Sequence, residues 1–349
     1  MAYRKSNGKL ARRKIEPAVQ TLYFNTGQTP GNDSAAYYID LSQVASLVNR
    51  RFYRQGINWM VGSIKIFTGT AGAVTIQKLP TTWVMKNSWT KGFATWQDMN
   101  KKAVENQESI KPRFLDFKIY ADKDHHLAGS GENLLPRTFE INPGVPGGLD
   151  VLEAVPGEWE YSKYSVPRTD GTDTALSREI VATGANYPGV GASGFQAVSL
   201  IEGYAASRAL PVATEDPNTP TDTLDVSGST PQNWMNAITN EGIRQDEIVV
   251  EDMTTENNLA PYPFEGDNIH TDTMYPGGAN QLRGLQIHDT AVISNTTIGS
   301  TTHMKGGEFY CGLMKIVHQV SGETSANLGI QIDLIPGPHR GYMCEPMGA

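Results

Sequence analysis

The chain has 349 residues, 39% hydrophobic and 19% charged, and its 35 glycines and 20 prolines favour many short strands over long helices. No apolar run approaches the roughly 18 residues that a membrane-spanning helix needs, and the charged start lacks the apolar segment of a secretory leader. Net charge is −8, yet the first fourteen residues hold six cations and no acid, which leaves −14 to the remainder.

Those six cations are Arg4, Lys5, Lys9, Arg12, Arg13 and Lys14. A basic arm on an acidic body points to a polyanion at one end and water or further copies elsewhere. Cations that neutralise phosphates release counterions, so a short disordered arm over residues 1–16 can bind nucleic acid without reading its sequence. A solvated tail is the alternative. The acidic body has the wrong sign to bind DNA broadly.

Residues 19–25 and 37–41 have strand character. Ser42 is the expected cap of a helix with Val44, Leu47, Val48 and Phe52 on one side, ending near Gly56. Within it, Asn49-Arg-Arg-Phe-Tyr-Arg54 interleaves three guanidinium groups with two rings, a composition that suits phosphates and stacked, unpaired bases. Arg50 and Arg54 fall at i and i+4, hence on one helix face with Arg51 nearby, while Phe52 should point into the core. A surface helix pairing its arginines with carboxylates is the plainer reading.

Ile64 and Ile66, then Val74 and Ile76, alternate with polar residues around a Gly/Thr turn, which predicts a β-hairpin. Asn87 or Ser88 should cap a second helix, where Trp89, Phe93, Trp96 and Ala103 form a core stripe. Leu115, Phe117 and Ile119 make another strand face. Asp122, Asp124, His125 and His126, and later Asp267, His270 and Asp272, match neither an EF-hand loop nor HExxH. Both read as solvated loop, with a divalent-ion site as the sharper alternative.

Residues 122–233 read as a loop-rich insertion without a core of its own. Inside it, Gly189, Gly191 and Gly194 spell GxGxxG, but no strand leads in and no βαβ rhythm surrounds it, so it reads as a turn. Further strands are expected over 195–201, 247–251, 285–293 and 309–320. The clearest is 328–334, where Leu328, Ile330, Ile332 and Leu334 alternate with Gly329, Gln331 and Asp333 before Pro336. Cys311 reads as a buried thiol, not half of a disulfide with Cys344. No nucleophile elbow, P-loop, zinc motif or paired catalytic carboxylate occurs, so the expectation is a non-enzyme that needs no cofactor or metal. The organisation expected is the arm, 1–16, and one all-β antiparallel sandwich domain, 17–349, with two short helices.

Four stretches carry a family resemblance: Asn49-Arg-Arg-Phe-Tyr-Arg-Gln-Gly56, Lys78-Leu-Pro-Thr-Thr-Trp83, the helix over 89–100, and Ile335-Pro-Gly-Pro-His-Arg-Gly-Tyr342. Together with the basic arm, which is shorter and less arginine-dense than in circoviruses, they resemble capsid proteins of small circular Rep-encoding single-stranded DNA viruses of the pecovirus or smacovirus kind. The resemblance implies an eight-stranded jelly roll and a small icosahedral shell of about 60 copies. It further implies a single-stranded DNA genome held by the arm and by Arg50, Arg51 and Arg54, a host receptor as a further partner, and no membrane. The expected location is the virion, with the basic arm also suited to nuclear import. A β-sandwich lectin is the rival from another class, and it leaves the arm unexplained.

Overall fold

A computed structural model describes residues 17–105, 115–142, 148–167, 175–208, 284–294 and 298–348, with Met235 and Thr296. In chain order its elements begin with β1 (Thr21–Asn25), β2 (Ser34–Asp40), α1 (Leu41–Asn49), β3 (Ile57–Phe67) and β4 (Gly72–Lys78). There follow α2 (Trp83–Val104), α3 (Lys123–Ala128), β5 (Arg137–Ile141), β6 (Leu149–Glu153), β7 (Lys163–Pro167), β8 (Ala175–Val181), β9 (Ala197–Ser199) and α4 (Leu200–Arg208). Next come β10 (Gln286–Ile293), β11 (Thr301–Phe309), β12 (Leu313–Val320) and β13 (Gly329–Leu334). Three short strands complete the set: β14 (Pro336–Gly337), β15 (Gly341–Tyr342) and β16 (Cys344–Pro346).

Two antiparallel sheets dominate. One runs β1-β13-β3-β11, with β16 also paired to β3, and the other runs β10-β4-β12-β2. Their alternating apolar residues meet in one core: Ile64, Ile66, Ile330 and Ile332 from the first sheet pack with Ile39, Val74, Ile76 and Ile316 from the second. Each of these eight side chains is wholly buried, which stabilises the fold by about 1.5–3 kcal/mol per residue relative to exposure. The protein is therefore a mainly antiparallel β-sandwich with a few helices.

Period-2 patterning located β1, β2, β3, β4, β10, β12 and β13, but it mispaired two of them. The expected hairpin does not form. β3 and β4 lie in different sheets, and residues 68–71 carry the chain across the core from one to the other. A Gly/Thr turn serves a corner between sheets as well as a hairpin, because both strands still bury one face against the same interior. Residues 115–119 are not a strand either: Phe117 and Ile119 are buried, and pairing is limited to a bridge between Tyr120 and Val181. β11 was missed because Gly306 and Gly307 interrupt its alternation. The expected strand at 247–251 lies outside the described residues.

The helices also start elsewhere. Asp40, not Ser42, caps α1, its Oδ1 accepting from the Ser42 and Gln43 amides at 3.0 and 3.3 Å. The Ser42 hydroxyl instead accepts the Trp59 indole N–H at 3.0 Å. α2 begins at Trp83, where Thr82 accepts from the Met85 amide. The aromatic stripe is core as expected, with Trp89 and Trp96 buried and Phe93 packed against them. Gly92 sits inside α2 because a Cβ there would lie 2.5 Å from Leu200 of α4, and its carbonyl accepts the buried Tyr164 hydroxyl at 2.6 Å.

The stretch 122–233 corrects a further expectation. Its described part contains β5–β6, the three-stranded sheet β7-β8-β9 and two helices, and much of it joins α2 in a second buried cluster. That cluster includes Tyr164, Val166, Ile180, Val198 and Leu200. It abuts the sandwich through Tyr38, Cys311 and Leu313. Both cysteines are buried free thiols.

Candidate nucleic-acid interface

Asn49 ends α1, and Arg50 turns into the left-handed region at φ 52°, stopping the helix there. Arg50 and Arg54 consequently do not share a helix face. From Arg51 to Gln55 burial instead alternates residue by residue, with Tyr53 and Gln55 buried and Phe52 and Arg54 exposed. The expectation that Phe52 enters the core is overturned: it is 49% exposed, and Tyr53 takes the interior position at 1%. Ending the helix at Asn49 rephases everything that follows.

The turn is held from three sides. Tyr53 donates to the Arg340 carbonyl at 2.9 Å, and Arg340 Nη1 donates to the Phe52 carbonyl at 2.6 Å. Gln55 is clasped in the interior, giving Nε2–H to Asp40 Oδ2 and to the Ile119 carbonyl while its Oε1 accepts the Ile119 amide. Asn49 accepts the Val19 amide at 2.9 Å and donates to the Tyr342 hydroxyl, which donates in turn to the Val19 carbonyl at 2.6 Å. The first described residues are thus pinned beside Arg50.

The structure therefore brings Arg50, Arg51, Arg54 and Arg340 around one turn. Arg340 stands in the resembling stretch 335–342 but was not read as a site residue, since it lies far along the chain. Among the described residues no carboxylate forms an ion pair with Arg50, Arg54 or Arg340. Lys118 adds a fifth cation: paired with Asp116, it lies 4.4 Å from the Trp159 ring centroid and 5.7 Å from that of Phe52. Arg4, Lys5, Lys9, Arg12, Arg13 and Lys14 lie outside the described residues, but the segment that joins them to the sandwich starts at this turn.

The cluster at 122–126 is not solvated loop. His125 and His126 are wholly buried. His125 Nδ1 accepts the Ala121 amide, so Nε2 carries the proton toward Asn133 Oδ1 at 2.8 Å. Lys315 bridges Asp122 and Asp124 at 2.7 Å each, and His126 lies 3.0 Å from Glu179. Among the described residues no group of three or more His, Cys, Asp or Glu is arranged to hold a metal. The second cluster, Asp267, His270 and Asp272, lies outside them. Gly191 of the GxGxxG run packs on His126, where a Cβ would fall 2.6 Å from Nε2. The run leads into β9 rather than a helix, so a dinucleotide fingerprint is absent there.

Two groups of this buried network titrate in opposite senses. Burial pushes the Asp40 carboxyl up to about 6 despite donors from Gln55, Gln43, Ser42 and Trp159. Burial pushes His125 down to about 4 despite its bond to Asn133. Asp40 destabilises the fold when ionised, and the cost is relieved as pH falls from about 6 toward 3.8. For His125 the unfolded chain takes up a proton near 6.5 that the folded chain refuses until about 4, so stability is lost over that interval. Each effect amounts to about 3 kcal/mol, and they offset. Urea unfolding should therefore show little net dependence from this pair between these limits. In Asp40→Asn the midpoint should fall steeply with acidification, while an unchanged slope would contradict the assignment.

No protein-family model matches the chain, and comparison with curated proteins and with solved structures finds no similar protein.

Proposed function

We propose that the chain is the coat protein of a small single-stranded DNA virus. Strands β1 to β4 and β10 to β13 form a jelly roll whose copies close into an icosahedral shell, with the basic arm and the Arg50–Arg54 turn facing the packaged genome. The observation that carries this reading is strand order. Successive strands of the eight alternate between the two sheets, except where β4 and β10 pair within one, and the orders β1-β13-β3-β11 and β10-β4-β12-β2 are those expected of a jelly-roll winding, which supports the reading. The α2–α4 elements fall in the single long connection between β4 and β10. A fold alone does not assign function; Arg50, Arg54 and Arg340, exposed beside the arm's point of attachment and without a carboxylate ion-pair partner among the described residues, add the polyanion.

Self-association is supported by the β5–β6 hairpin. Phe139 is 56% exposed, Val151 50%, Ile141 80% and nearby Val155 77%, and Phe139 and Val151 face each other across the ladder. These four side chains expose apolar surface on the order of half the ~800 Å² each partner gives a standard interface, while Leu152, opposite Thr138, lies on the other face of the ladder. A two-stranded hairpin is marginal in water on its own, and a second copy covering it would supply the missing burial.

Electron microscopy of purified protein tests the function: closed particles of small-virus size are expected, and monomers or small discrete oligomers under all conditions would favour the lectin reading instead. Phe139→Asp combined with Ile141→Asp should leave the subunit folded, since exposed substitutions cost about 0.5 kcal/mol or less, but suppress particle formation. Normal particle yield from that variant would remove the hairpin from the interface.

A further inference from the structure

We infer that Phe52 is a stacking platform for an unpaired nucleobase, with the guanidinium groups of Arg54 and Arg340 placed to meet the flanking phosphates. This rests on the nucleic-acid reading above and deepens it, because it names the chemical group recognised and separates base contact from charge contact.

Phe52 is 49% exposed. A single exposed aromatic is ordinary on a protein surface, but this one is immobilised. Its own carbonyl is fixed by Arg340, and the next residue is tied down by the Tyr53 amide donating to the Ser46 hydroxyl at 2.9 Å. Trp159 backs the ring at 6.4 Å between centroids, and the Lys118 ammonium lies 5.7 Å from its centre. The platform is therefore pre-organised, and little ordering cost remains on binding.

Its setting favours a nucleic acid over another protein surface. The exposed Arg50, Arg54 and Arg340 have no carboxylate partner among the described residues. An exposed ring beside exposed arginines that have no carboxylate partner among the described residues suits a ligand that carries a flat π-face and negative charge together. Every base offers such a face, so the contact selects unpaired over paired strands without selecting sequence. Charge alone would not make that distinction.

The test compares two fluorescein-labelled 20-mers, oligo-dT and an abasic strand of equal length and charge, by anisotropy against full-length protein. Wild type should prefer oligo-dT by about 5- to 150-fold, the range of one stacked base. Phe52→Ala should abolish that preference while leaving abasic affinity and the salt slope unchanged, and Phe52→Tyr should restore it. Circular dichroism melts of both variants check the fold. A preserved oligo-dT preference in Phe52→Ala, or equal loss on both strands, would overturn the inference while leaving the nucleic-acid reading intact. Absence of binding to either strand by wild type at low salt would instead remove that reading itself.

Discussion

Ile332→Asp should abolish soluble, folded protein. Ile332 is wholly buried, pairs with Leu22 on β1 and Ile64 on β3, and faces the second sheet across the core. No donor replaces water for a carboxylate in that apolar layer. The group would neutralise by raising its pKa several units, at about 1.4 kcal/mol per unit, and the buried isoleucine's transfer energy is forfeited as well. The sum is several kcal/mol, against a typical stability of about 5–15 kcal/mol. Ile332→Val, which removes one methyl group, should cost only about 0.5–1.5 kcal/mol and still assemble. Soluble expression followed by urea unfolding of the two variants measures the contrast. A soluble, assembled Ile332→Asp protein would be incompatible with an inward Ile332.

Deleting residues 2–14 should leave the fold intact and collapse salt-sensitive DNA binding. The segment offers little apolar surface, only Tyr3, Leu10 and two alanines, and β1 with the Val19–Asn49 bond lies beyond the cut. Six phosphate contacts on single-stranded DNA correspond to a log–log salt slope of about 4. That is a loss of some four decades in salt response per decade of salt. The residual slope should be about 2, the share of Arg50, Arg54 and Arg340 if each meets one phosphate. Affinity titrations across a salt series read both values. A slope unchanged by the deletion would show that the arm does not bind, and a residual near zero would remove the turn from the interface.

The sequence by itself determined where seven of the nine strands in the two large sheets run and which face of several of them is buried. Alternation is local, and Ile330, Ile332, Val74 and Ile76 each declared their inward side through immediate neighbours. The aromatic stripe of α2 and the buried free cysteines were legible for the same reason. The basic arm and the arginine-rich turn were likewise visible as composition.

Only the tertiary structure decided which strands pair. Ile66 finds its partners in Thr302 and Ile330, far along the chain, and not in β4 just after it. A turn sequence specifies a reversal, but not whether the returning strand joins the same sheet or the facing one. It also decided the phase of the turn after α1. Arg50 and Phe52 were read on a continuing helix, whereas the left-handed Arg50 and the bonds from Arg340 and Asn49 end it there and turn Phe52 outward. His125 shows the same limit: a charged, polar stretch looks solvated until Asn133 and Lys315 arrive from other elements to partner His125, Asp122 and Asp124. Burial of a polar group depends on partners that lie elsewhere in the chain, and no local pattern announces them.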